Sequence, residues 1–150
     1  MMIQRILVAL DGSERGEAVL PRVRAMATSD LCEVLLLHVA PSPPGCERIG
    51  HRLLFLDEQQ TIIAVEKRPY LEEIRALLGA AAARARALVR FGDPAVEIVN
   101  TARRERADLI ALVADPRRRW GLFSRATLAE RVVRSASVPV LLVGPGAAGL

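Results

Sequence analysis

The sequence predicts an α/β fold, a single doubly wound parallel sheet of five strands with helices on both faces. Three observations predict it. Short runs of apolar, often β-branched residues recur at 3–10, 33–40, 84–90, 109–114 and 138–143. Between them lie segments whose apolar residues recur three and four apart, which is helical spacing. Clusters of Gly, Pro, Asp and Ser mark turns between the two kinds of segment. Alternation of strand and helix implies a parallel sheet covered on both faces, with right-handed crossovers.

Each element follows from its residues. The run at 3–10 is continuously apolar at its centre, as suits a strand buried on both faces, and it stops at Asp11-Gly12-Ser13. Gly16, Leu20, Val23 and Ala27 then mark a helix that Ser13 can cap, with Pro21 inside the pattern as a source of a kink. Residues 33–40 form the second strand. Pro41-Ser42-Pro43-Pro44-Gly45 breaks the chain, so a mobile loop is expected as far as Gly50. Residues 57–83 read as helix through Leu71, Ile74, Leu78 and Ala81, kinked or divided at Pro69. Arginines alternate with Ala85, Ala87 and Val89 over 84–90, which places this strand near a sheet edge.

The second half continues the alternation. Phe91-Gly92-Asp93-Pro94 is a turn with Pro94 in the first turn of a helix whose buried face is Ala95, Ile98, Val99 and Ala102. A strand at 109–114, a long loop, a helix over 126–135 and a strand at 138–143 complete the chain. Pro139 cannot donate to a sheet, so it belongs at the start or edge of the last strand.

Composition narrows the function classes. At 150 residues the chain reads as one domain over 1–150. A chain of this size buries about 70% of its surface without staples. With 51% hydrophobic and 25% charged residues it is globular rather than disordered. No apolar stretch approaches the ~18 residues of a membrane span, and the run at 6–10 is too short for a signal peptide. A soluble, cytoplasmic protein is expected. Net charge is +4, but the arginines are scattered among acids and aromatics make up only 3%, which argues against a nucleic-acid surface. Cys32 and Cys46 lack metal-site spacing, so no metal is expected. Cys32 is read as buried on a strand and Cys46 as free in a loop.

Ligands of open α/β sheets bind beyond the carboxyl ends of the strands. Asp11 ends the first strand, either as an acid that accepts bonds from a ligand or as a turn-forming cap. His38 ends the second and reads as a hydrogen-bonded core residue. Beside it, Val39 offers backbone groups to a base edge. The segment 113–127 runs from a strand end to a helix start, where unpaired N–H groups favour anions. Arg117, Arg118, Arg119 and Arg125 are anion candidates there. The competing reading, which is favoured, is a solvated basic loop with Trp120 packed under it or exposed to a partner.

Ile6 to Ser13, Leu37-His38-Val39, Phe91-Gly92-Asp93-Pro94 and Ser137 to Val143, in that order, resemble the universal stress protein family over nearly the whole chain. The resemblance implies a sheet of order 3-2-1-4-5, a stress-related role and a homodimer paired through Val138–Val143. It also implies a nucleotide site at Ala9, Asp11, Val39, Val113, Pro116, Ala126, Thr127 and Leu128. ATP-binding members carry Gly, two residues, Gly, nine residues, then Gly followed by Ser or Thr. Those positions fall on Val113, Pro116, Ala126 and Thr127, so only the hydroxyl is kept. Val113 puts a branched side chain where bare backbone would approach phosphate. Pro116 removes an N–H and fixes φ. These departures argue against tight ATP binding.

The expectation is therefore a regulatory or interaction protein that forms homodimers, with no cofactor required. The alternative is an ATP- or AMP-binding sensor or slow ATPase. No hydrolytic constellation supports an enzyme: Ser13 and Ser124 have no neighbouring His, and Lys67, the only lysine, lies in a helix. A flavodoxin-like or electron-transfer-flavoprotein-like domain is a third reading, weakened because no phosphate loop follows the first strand.

Overall fold

The strand β1 (Arg5–Leu10) occupies the middle of the sheet in the computed structural model, which describes residues 2–116 and 126–146. On one side it pairs with β2 (Glu33–Ala40) from Arg5↔Glu33 to Leu10↔His38. On the other it pairs with β6 (Leu109–Val113) from Ile6↔Leu109 to Val8↔Ala111. The edges are β5 (Ala85–Phe91) and β7 (Val140–Val143). All four pairings are parallel, in the order β5-β2-β1-β6-β7. A separate hairpin is made of β3 (Cys46–Ile49) and β4 (Arg52–Phe55). Counting only the main sheet, the order is the expected 3-2-1-4-5.

Alternation along the strands builds two cores. Ile6, Val8 and Leu10 of β1, with Val34 and Leu36 of β2, face α1 (Leu20–Met26) and α2 (Leu56–Leu77). Leu7 of β1, with Leu35 and Leu37 of β2, faces α3 (Pro94–Arg104) and α4 (Leu128–Ser135). Because both faces are covered, the strands read as continuous apolar runs. Among the described residues no helix is long and apolar enough to cross a membrane.

Several local expectations are corrected. The first helix opens as a 3-10 turn over Gly16–Val19, and Pro21 sits in the first turn of α1, where its missing N–H costs nothing. The segment to Gly50 is not a loop throughout. Ile49 pairs with Arg52 across Gly50-His51, and Gly50 has φ +62°, the backbone of a tight hairpin turn. Cys46 is exposed as expected but lies on β3, and buried Cys32 lies just before β2. The helix α2 runs unbroken through Pro69 and stops at Leu77, short of Ala83. Gly79, at φ +60°, ends it as a left-handed cap, and a 3-10 turn follows over Gly79–Arg84. Alanine-rich sequence alone suggested more helix than this backbone allows.

One ion pair couples the helices of the second face. Asp93 caps α3 by accepting from Val96 N at 3.1 Å, and it accepts two bonds from Arg131 of α4, both at 3.0 Å. Burial works to raise the Asp93 pKa, but the Arg131 fork and the Val96 N–H outweigh it and hold the carboxyl below its ordinary range. Asp93→Ala is expected to destabilise the fold by about 1–2 kcal/mol through loss of the cap and the fork. A carboxylate with a depressed folded pKa stabilises above the ordinary range and loses that contribution as pH falls through the folded value. Denaturant melts of both proteins should therefore differ most at neutral pH and converge in strong acid.

Candidate functional site

The sheet order reverses at β1, and the chain leaves β1 and β6 toward opposite faces. A crevice opens beyond their carboxyl ends, as expected at such a switch point. It has a volume of about 60 Å³ and is lined by Ala9 of β1, Asp11 just after it, Val39 of β2, Val113 and Asp115 around the end of β6, and Leu128 of α4.

The loop after β1 is shaped by Asp11. Its Oδ1 accepts from Ser13 N at 2.8 Å and from Ser13 Oγ at 2.6 Å. Ser13 Oγ accepts in turn from Gly16 N at 3.1 Å, which starts the 3-10 turn. Gly12 supplies the φ of +86° that this tight path needs. Gly16 is required for a different reason: a Cβ there would overlap Asp11 Oδ1 and lie 3.1 Å from Asp11 Cγ. Asp11 thus builds the turn and lines the crevice at once. Behind the loop, burial first, and the Glu17 and Asp11 charges second, push the Tyr70 phenol up, so it stays neutral.

The residues of β2 play unlike parts. His38 is buried and donates from Nδ1 to Leu10 O at 3.1 Å, which fits the core position read for it. Val39 reaches the crevice. Across the mouth, Arg15 approaches Asp115 to 3.8 Å, joining the loop after β1 to the loop after β6. Among the described residues the lining thus holds two carboxylates, Asp11 and Asp115, and one guanidinium, Arg15.

At the start of α4, Thr127 and Glu130 form a reciprocal cap. Thr127 Oγ1 accepts from Glu130 N at 3.2 Å, and Thr127 N donates to Glu130 Oε2 at 3.1 Å. The first-turn N–H groups of Leu128 and Ala129 are the ones that such a box leaves without an intrahelical acceptor. Of the residues singled out in the sequence, Ala9, Asp11, Val39, Val113 and Leu128 come together at the crevice. Pro116 stands exposed in a turn, and Ala126 and Thr127 are half-buried outside the lining. Arg117, Arg118, Arg119, Trp120 and Arg125 lie outside the described residues. The sequence reading missed Arg15, Gly16 and Asp115. An acid two residues beyond a strand that ends at the switch point was the available signal for Asp115.

A family model described as the universal stress protein family matches residues 2–144. Universal stress protein MJ0577 of Methanocaldococcus jannaschii is 26% identical over 155 residues, covering 95% of this chain and 96% of that protein. The solved structure of MJ0577 superposes with a TM-score of 0.73 at 27% identity, covering 96% of this chain and 97% of that one. A universal stress protein solved in complex with cAMP has a TM-score of 0.67 at 20% identity, with 97% and 100% covered. One from Archaeoglobus fulgidus in complex with dAMP has a TM-score of 0.63 at 19% identity, with 95% and 98% covered. At these lower identities the likeness concerns the fold.

The crowding at Gly16 yields a direct test. Gly16→Ala is expected to cost about 1–3 kcal/mol, because overpacking displaces Asp11. Gly144→Ala, where a Cβ meets open space, should stay within about 0.5 kcal/mol of the native chain. Equal midpoints for both variants in urea would show that the Asp11 turn accommodates a methyl group.

Proposed function

Since the chain belongs to the universal stress protein family, we propose that it is a stress-related regulatory or interaction protein that forms homodimers and does not bind ATP tightly. The observation that carries this reading is the chemistry of the crevice. Asp11 and Asp115 line it against Arg15 alone among the described residues, so a polyphosphate would bring more negative charge to carboxylates. Val113 adds bulk at the end of β6, and Pro116 offers no N–H in the turn beyond it.

The edge strand β7 supports the homodimer. One side of it pairs with β6 and the other has no strand beside it among the described residues, and Leu142 is 42% exposed. An apolar edge of this kind is a template for pairing with a second copy, and a two-fold axis would let the same strand serve both protomers.

A second reading is a site for a nucleoside monophosphate. Asp11 and Val39, side by side at the strand ends, support it, as do the relatives solved with cAMP and dAMP. One phosphate demands less of the turn after β6 than three do.

Titration calorimetry separates the readings. Mg-ATP should give no heat of binding with the native chain, and Val113→Gly combined with Pro116→Gly should create binding. Micromolar binding of Mg-ATP to the native chain, lost in Asp11→Ala or Thr127→Ala, would replace this reading with a nucleotide sensor. Binding of AMP alone would select the monophosphate reading. Sedimentation velocity should show a dimer that Leu142→Arg converts to a monomer. A native monomer would remove the dimer from the proposal.

A further inference from the structure

Beside the crevice lies a second and much larger concavity of about 750 Å³, bounded by the β3–β4 hairpin, the first half of α2 and the proline-rich segment after β2. Its walls are mainly apolar, with Ile49 and Leu54 from the hairpin and Ile62 and Ile63 from α2. Ile49 and Ile62 are 57% and 44% exposed, so an occupant would cover apolar surface that now meets water.

The polar groups of this groove are mostly acceptors. Gln59 lines it and is only 4% exposed. Its Nε2 donates to Leu54 O at 2.8 Å, which fixes the amide and leaves Oε1 buried with no donor. A buried acceptor in that state is satisfied by a donor from water or from a bound molecule. Among the charged side chains of the described residues, Asp11, Glu47 and Glu66 line the groove against Lys67 alone. This local acidity runs against a chain whose net charge is +4.

We infer that this groove binds an amphipathic amine, a molecule with an apolar body and a protonated nitrogen. The body lies along Ile49, Leu54, Ile62 and Ile63. The N–H groups meet the carboxylates of Glu47 and Glu66 at the rim, while Gln59 Oε1 lies beneath the lining. An anion of the same shape would find one ammonium and three carboxylates. The inference rests on the hairpin and α2, and it stands whether or not the crevice takes a nucleotide.

The test is titration calorimetry of the full chain with octylamine, octanol and octanoate, which share a tail and differ in the head. Octylamine is expected to bind roughly tenfold more tightly than octanol, a difference of about 1.4 kcal/mol, and octanoate more weakly than either. Glu47→Gln combined with Glu66→Gln should bring octylamine down to the level of octanol. Ile62→Lys should weaken octylamine at least as much by placing a cation in the groove. All three positions are exposed, so the variants should fold, as circular dichroism will check. If the double variant does not fold, Glu66→Gln alone carries the same test. Silence with all three probes, octanoate or octanol binding as tightly as octylamine, or octylamine affinity unchanged in the variants would each overturn the inference.

Discussion

The central position of β1 is the constraint on which the rest of the structure depends. It is the strand that places Asp11 between β2 and β6, with both of its faces buried under helices. Every backbone group along such a strand must be paired in the sheet, because water cannot reach it. The register from Arg5↔Glu33 to Leu10↔His38 then sets where each neighbouring strand ends. The crevice is the space left where those ends stop and the chain departs toward opposite faces. Its location is a property of strand order, and its chemistry is a property of the few residues at the strand ends.

Those few residues set the balance of charge at the crevice. The end of β6 carries Val113 and Asp115, and the loop after β1 carries Arg15, which Asp115 approaches. The reciprocal cap of Thr127 and Glu130 keeps the start of α4 well formed. The fold is therefore intact around a crevice whose described lining carries two carboxylates, Asp11 and Asp115, and the Arg15 guanidinium. Family membership and local chemistry speak to different questions here, and the local chemistry bears on the ligand.

Most of the architecture was legible because strands buried on both faces carry continuous apolar runs. The runs around Ile6–Leu10, Glu33–Ala40 and Leu109–Val113 could scarcely be anything else, and the arginine alternation around Ala87 correctly marked β5 as an edge. The misses came where backbone geometry overrides side-chain pattern. The proline cluster masked a hairpin that turns on Gly50, and the alanines after Gly79 looked helical although its left-handed φ ends the helix. The candidate site was legible at the strand ends and at the start of α4, as at Ala9, Asp11, Val39, Val113 and Leu128. Arg15 meets Asp115 across 100 positions of sequence, and the exclusion of any side chain from Gly16 depends on a loop path. Neither leaves a periodic trace.

The fork between Asp93 and Arg131 has a consequence for the groove beside the crevice. It ties the start of α3 to α4, so the wall behind Pro94 and Leu128 behaves as a single block. The larger groove beside the crevice shares Pro94 with that block, and its far side is a two-stranded hairpin with no further strand on either side among the described residues, a unit of marginal stability by itself. Its ties to α2 include the Gln59 amide and the acceptance of Phe55 N and Arg52 by Glu58. The groove thus has one stiff side and one compliant side. Residues 41–59 then both hold a guest of the groove and set how fast it leaves, so a substitution in the hairpin would alter affinity and residence together.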